Sequence, residues 1–484
     1  MNKFLKTILL FSFSIFCTAV LHAQSDSIPT IISSIDTTIK SDSGSKLKYV
    51  AGIAVYGNLK TKPFIIEREF SFKQGDYVLA AELPEKLEFA RRQLINTGLF
   101  LQVEVRIENQ FEDIVFISVL VKERWYIFPL PYFKLIDRNF NEWWVTQNAS
   151  LSRVNYGAKI IHNNFSGRND KLNLWLITGY SRQLALKYER PYAFKSLKFG
   201  YNAFVNLNKQ KELNYGSNNS KQLFYNNPDD YVRESMRLQF DLTYRPAILT
   251  KHTFRIGFTS EKLSDSIAQR NPNYLPNGLS KVNIPELSYT VRYYNTDYNV
   301  YPLKGFQIEA NLTRQGGFKG PIDATTLRVI SSYTQPISAK AQIQYQYGGI
   351  LRVPFNQPFY TKQLFGYGNI FMRGLEYYVI DGVAGSVGRV TGRRQFFNFI
   401  VPLPASSRNK KKFEVPIMIL GKLYGDAGYA YDKNPGTSIL NNRFLYSGGA
   451  GLDIVAAYDI VLRFEYSFNQ FGESGFFFHA RKDF

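Results

Sequence analysis

Leu462-Arg463-Phe464-Glu465-Tyr466-Ser467-Phe468 alternates apolar and polar residues without a break, and both of its charges, on Arg463 and Glu465, share one parity. Successive side chains of a strand point to opposite faces, so this stretch has one greasy face and one wet face. The same alternation recurs upstream: Leu172, Leu174 and Leu176; Leu238, Phe240, Leu242 and Tyr244; Phe306, Ile308, Ala310 and Leu312; Ile343, Tyr345 and Tyr347. Charges and amides fill the intervening positions. From Arg124 onward about 360 residues carry this pattern, which describes a closed sheet with an apolar exterior and a polar lumen. At roughly 22 residues per strand and its turns, that length makes about sixteen transmembrane antiparallel strands. A soluble sandwich or propeller would alternate too, but it does not account for the aromatic strand that ends the chain.

Composition agrees. Phe 40 and Tyr 33 in 484 residues bring aromatics to 16%, yet mean hydropathy is only -0.23. A helical membrane protein would be far more apolar, whereas a barrel keeps half of each strand wet. Lys3 and Lys6 precede an apolar run from Thr7 to Val20, and Ala23 offers a small residue for cleavage, so residues 1–23 read as a secretory signal. Cys17, the single cysteine, would leave with it. Residues 24–45, rich in Ser, Thr and Asp, read as a flexible tether. Net charge is +20, and a secreted barrel directs that charge to its lumen or to anionic lipid rather than to nucleic acid.

Between the tether and the barrel, residues 46–123 change period. Tyr49 to Tyr56 reads as a strand ended by Gly57-Asn58, and Thr61 as the cap of a helix with Pro63 in its first turn. A second helix, Ala80 to Asn96, lines up Leu83, Leu87, Ala90, Leu94 and Ile95 and stops at Gly98. Strands Gln102 to Ile107 and Ile114 to Val121 follow. This β-α-α-β-β order, with Val55-Tyr56-Gly57-Asn58 and Leu94-Ile95-Asn96-Thr97-Gly98-Leu99-Phe100, resembles a polypeptide-transport-associated (POTRA) domain. Val103, Val105 and Ile107 share one face of the expected edge strand, whose open edge can accept an extended client through main-chain hydrogen bonds. A spacer role, or binding of one fixed partner, is the plainer reading.

Three further stretches bear on mechanism. In Trp125 to Phe133, Pro129 and Pro131 share parity, so one edge of a first barrel strand lacks two donors and forms a weak seam. Alternatively, both prolines lie in the connector before that strand. The chain ends Gly475-Phe476-Phe477-Phe478-His479-Ala480-Arg481-Lys482-Asp483-Phe484, and Phe476, Phe478 and the terminal Phe484 resemble the closing-strand signal of outer-membrane proteins; Lys482 departs from it.

The third stretch is Phe371-Met372-Arg373-Gly374-Leu375. With Asp297 and Tyr301-Pro302-Leu303-Lys304-Gly305 upstream and Tyr424-Gly425-Asp426-Ala427-Gly428 downstream, it resembles the Arg-Gly loop of the BamA/TamA outer-membrane assembly family, the bacterial surface antigens. Met372 and Leu375 vary from that pattern, and its usual Glu is not evident from Phe396 to Pro402. The resemblance implies that Arg373 enters the lumen and pairs with Asp426, with Gly374 and Gly428 permitting close approach. It implies no catalysis and no cofactor. The expected role is to receive unfolded outer-membrane proteins at the POTRA edge and insert them at the seam, in contact with outer-membrane lipid and with accessory periplasmic lipoproteins as further partners. A two-partner-secretion pore that exports one polypeptide is the alternative. Ala384-Gly385-Ser386-Val387-Gly388 falls short of a nucleophile elbow, and His162, His252 and His479 show no metal-ligand spacing.

Overall fold

The computed structural model describes residues 46–135, 154–317, 320–368, 370–403 and 413–480. The expected signal, the tether, Lys482 and Phe484 lie outside them.

The first domain runs β1 (Leu47–Tyr56), α1 (Pro63–Glu67), β2 (Tyr77–Leu79), α2 (Leu83–Asn96), β3 (Phe100–Phe111) and β4 (Ile114–Glu123). Its sheet has the order β2-β1-β4-β3, with β1 parallel to β4 and β3 antiparallel to it. The expected element order holds, with one addition. β2 is too short to show a period, and the turn after it delays α2 to Leu83, where Pro84 sets the first turn.

Leu87, Ala90 and Leu94 of α2 bury against Val115, Ile117 and Val119 of β4, the central strand. β3 is the sheet's edge. Val103 and Val105 pack on the core, while Ile107 is 37% exposed beyond the helix. Thr61 does not cap α1, because Lys62 occupies that position with no side-chain cap. Its buried hydroxyl instead meets the Tyr126 hydroxyl at 3.2 Å and accepts from Asn164 Nδ2 at 2.9 Å.

The second domain is one antiparallel sheet of sixteen strands, from β5 (Ile127–Leu135) to a terminal strand Ser474–His479. Every strand pairs with its sequence neighbour in this sheet. Two small hairpins stand outside it: Glu212–Asn218 with Lys221–Asn226, and Gln363–Phe365 with Ile380–Asp381. The polar tract Asn206 to Asp230, whose composition alone reads as loop, is therefore largely strand and hairpin, and the similar tract Ser264 to Gly278 carries a short helix, Asp265–Arg270.

The alternation resolves as anticipated. Leu238, Phe240 and Leu242 are exposed on the outer face, while Asp241 and Thr243 on the opposite parity are buried inward. Gln342, Gln344 and Gln346 are likewise buried inside. No helix among the described residues is long and apolar enough to cross a membrane. Here the strands provide the apolar belt.

Candidate functional site

The long connection between strands Ala341–Val353 and Ala384–Leu403 folds back into the barrel. Leu364, Phe365, Ile370, Met372, Leu375 and Tyr378 from it form a buried cluster with Val387 and Ala430 of the wall. That cluster carries Arg373 inward until only 1% of it is exposed.

There Arg373 Nε donates to both oxygens of Asp426 at 3.1 Å, Nη2 donates to Oδ1 at 2.5 Å, and the Arg373 backbone N–H donates to Oδ2 at 3.0 Å. The planar guanidinium matches the carboxylate fork. Nη1 donates to Thr391 Oγ1 at 3.1 Å, and the guanidinium lies 4.0 Å from the centre of the Tyr424 ring. Arg389, from the strand after the loop, approaches Asp426 at 3.5 Å and donates to the Phe371 carbonyl.

Both glycines sit where a side chain would be crowded. Gly374 has φ +81°, and a Cβ there would stand 3.1 Å from the Phe468 carbonyl oxygen. At Gly428 a Cβ would meet the Ser386 carbonyl oxygen at 2.9 Å and Met372 Sδ at 3.0 Å. Gly374→Ala is expected to cost about 1–3 kcal/mol through left-handed strain alone. A lower melting temperature of the compact, heat-resistant gel band would register that loss.

The network extends toward the periplasm. Lys422 pairs with Asp453 at 2.6 Å and with Glu465 at 2.7 Å. Tyr301, in the turn after strand Lys281–Thr296, donates to Asp453 Oδ2 at 2.7 Å, and Arg393 lies 4.4 Å from the Tyr301 ring centre. The three motifs of the sequence thus meet in one buried cluster. Sequence reading missed Arg389, Thr391, Lys422, Asp453 and Glu465. Their lumen parity within alternating strands was the available signal. Glu465, 3.9 Å from Arg373 Nη1, places a carboxylate on the penultimate barrel strand, where the strand after the loop has none.

β5 and the terminal strand are the two ends of the large sheet and form no ladder with each other among the described residues. Pro129 and Pro131 lie within β5, not in a connector, and their register with Ile160 and Ala158 is unbroken. The missing donors therefore fall on the open edge. In the terminal strand Phe476 and Phe478 point outward, 63% and 54% exposed, while Phe477 and His479 take the lumen parity.

The first domain is anchored to the periplasmic turns of the barrel. Glu69, just past α1, is fully buried and receives Arg245 Nη1 at 2.6 Å, Arg245 Nη2 at 2.7 Å and Arg68 at 2.9 Å. Burial would push its carboxyl up, but the two guanidiniums outweigh that and hold it below the usual carboxylate range.

A sixteen-stranded sheet with a lipid-type exterior and a buried ionic lumen, joined to a β-α-α-β-β domain, defines an outer-membrane barrel protein with a periplasmic POTRA domain. Comparison with known families narrows the class. The Omp85 superfamily domain matches residues 164–480, and the POTRA-type surface antigen variable number repeat matches residues 48–124. The chain belongs to the Omp85 superfamily of outer-membrane protein translocases and insertases, which are not classical enzymes.

Among solved structures, CdiB from Escherichia coli aligns over 90% of this chain and 74% of its own, at 12% identity and a TM-score of 0.50, a likeness of fold. BamA from Haemophilus ducreyi lacking POTRA domains 1–3 aligns over 90% and 83% at 18% identity with a TM-score of 0.48, and CdiB from Acinetobacter baumannii over 90% and 74% at 14% and 0.48. No curated protein matches the chain.

Proposed function

We propose that this chain inserts other outer-membrane proteins into the bilayer through the seam between β5 and the terminal strand. The observation that supports this reading is the seam, unpaired among the described residues. Each side presents main-chain donors and acceptors in the apolar layer, where an unsatisfied group costs several kcal/mol. An incoming strand of a client satisfies them without any requirement on its sequence. The terminal strand is short, six residues against nine in β5, and the two prolines weaken the opposite edge.

In this proposal the edge of β3, with Val103, Val105 and Ile107, receives the client in the periplasm. Arg373, Gly374, Asp426 and Gly428 hold the lumen in shape while the seam opens. The chain itself performs no covalent chemistry, and burial of the client's apolar face drives insertion.

The plugged lumen favours insertion over export. Besides the Arg373 cluster, the outer mouth is bridged by loop contacts: Val379 N–H to the Ser220 carbonyl at 2.8 Å, Asn219 N–H to Thr437 Oγ1 at 3.2 Å, and the Ser220 and Ser438 hydroxyls at 3.0 Å. An exported polypeptide would have to break all of these.

Cysteine pairs scanned along Ile127–Leu135 and Ser474–His479 test the proposal. A disulfide that locks the seam is expected to abolish assembly of client barrels, with recovery on reduction. Normal client levels under a complete lock, with loss of a secreted polypeptide, would establish export instead.

A further inference from the structure

Glu376, three residues past Arg373 in the lumen loop, meets Glu465 of the penultimate barrel strand and His479 of the terminal strand. One ligand atom from each lies within 4.8 Å of the others. His479 Nε2 stands 3.4 Å from Glu376 Oε1 and 3.4 Å from Glu465 Oε2. We propose that these three side chains form a binding site for a divalent first-row transition metal ion, best suited to Zn²⁺, that staples the lumen loop to the last two strands beside the seam.

Three observations carry the assignment. First, spacing: Zn–N and Zn–O bonds of about 2.0–2.1 Å in a tetrahedron separate neighbouring ligand atoms by about 3.3 Å, close to both His479 distances. Second, the ligand atoms of Glu376 and His479 are buried and unused. Both Glu376 oxygens and His479 Nε2 are shielded from solvent and have no hydrogen-bond partner among the described residues, so neither 3.4 Å contact is an aligned N–H···O bond. A buried carboxylate in that state carries a large desolvation cost unless a cation neutralises it. Third, a support for one ligand exists already. Lys422 lies 2.7 Å from Glu465 Oε1 as an ion pair, which turns Oε2 toward His479 in the manner of an outer-shell partner.

Two carboxylates and one neutral imidazole leave a fourth tetrahedral position for water. That ligand set suits zinc rather than calcium, which takes six to eight oxygens. The ligands come from three separate elements, so bound metal ties the terminal strand to the loop that Arg373 anchors. Metal occupancy would then oppose movement of that strand away from the loop.

The full-length protein, folded in detergent and stripped with chelator, is titrated with Zn²⁺ by calorimetry, and its retained metal is counted after dialysis. One Zn²⁺ per chain is expected. Glu376→Gln and His479→Ala are expected to weaken binding by more than about 100-fold, the upper range for losing even an outer partner of a ligand. The heat-resistant gel band monitors folding of each variant. Because Glu376 sits in a loop outside the strand ladders, Glu376→Gln is expected to fold and keeps the test decisive if the terminal-strand variant does not. Folded wild-type protein that takes up no stoichiometric zinc, or a folded Glu376→Gln variant that binds it equally well, would overturn the site.

Discussion

Asp426→Ala is expected to be the most damaging single change in the barrel, with a loss of about 3–5 kcal/mol. Asp426 neutralises two buried guanidiniums at once, Arg373 through three side-chain contacts and Arg389 at 3.5 Å. Without the carboxylate both cations stay desolvated and lose their nearest counter-charge, and removing one partner of a buried ion pair costs more than the pair contributed. Arg373→Ala should be milder, because Arg389 still faces Asp426. Arg373 and Asp426 also share the backbone N–H contact at 3.0 Å, so their effects should not add. The temperature at which the compact gel band disappears reads both single variants and the double variant. An Asp426→Ala barrel as heat-resistant as the wild type would remove the buried lock as a source of barrel stability.

Glu69→Ala should release the POTRA domain from the barrel at a comparable cost of about 3–5 kcal/mol, again because cations are left buried. Arg245 would lose its bidentate partner, and Arg68 would retain the Tyr192 ring at 4.3 Å and the Leu197 carbonyl at 2.9 Å. Cleavage by protease near Thr61 and Lys62, which also contact barrel turns, should rise while the barrel keeps its gel mobility.

The wild-type contact carries a pH signature. Arg245 and Arg68 depress the Glu69 carboxyl, so its stabilisation is complete above the unfolded value of about 4.3 and drains away as pH falls through the lower folded value. Docking should therefore hold from neutral pH down to that range. If docking loosened as pH rose instead, Glu69 would not be the group that titrates.

Periodicity made most of this fold readable. About sixteen strands follow from the length of the alternating region, and the lumen parity of Gln344 and Arg463 and the one-sided burial of β3 follow from alternation itself, which needs no knowledge of neighbours. The resemblance implied one site for Arg373, Gly374, Asp426 and Gly428, and in the fold Arg373 donates to Asp426. What failed was short or relational. β2 spans three residues, and Thr61 resembles a cap by type but is taken up by Tyr126 and Asn164, more than sixty residues away.

Strand identity is a local property, because a side chain's face depends only on its place in a two-residue repeat. Partnership depends on how far each strand is staggered against the next, and small register choices accumulate around sixteen strands. The chain's order of residues therefore specified that Arg373, Glu376, Glu465 and His479 would stand among lumen-directed segments. Stagger and loop folding alone brought Glu376 to His479 across 103 positions, left β5 and the terminal strand as the two ends of the sheet with no ladder between them among the described residues, and set Glu69 against Arg245.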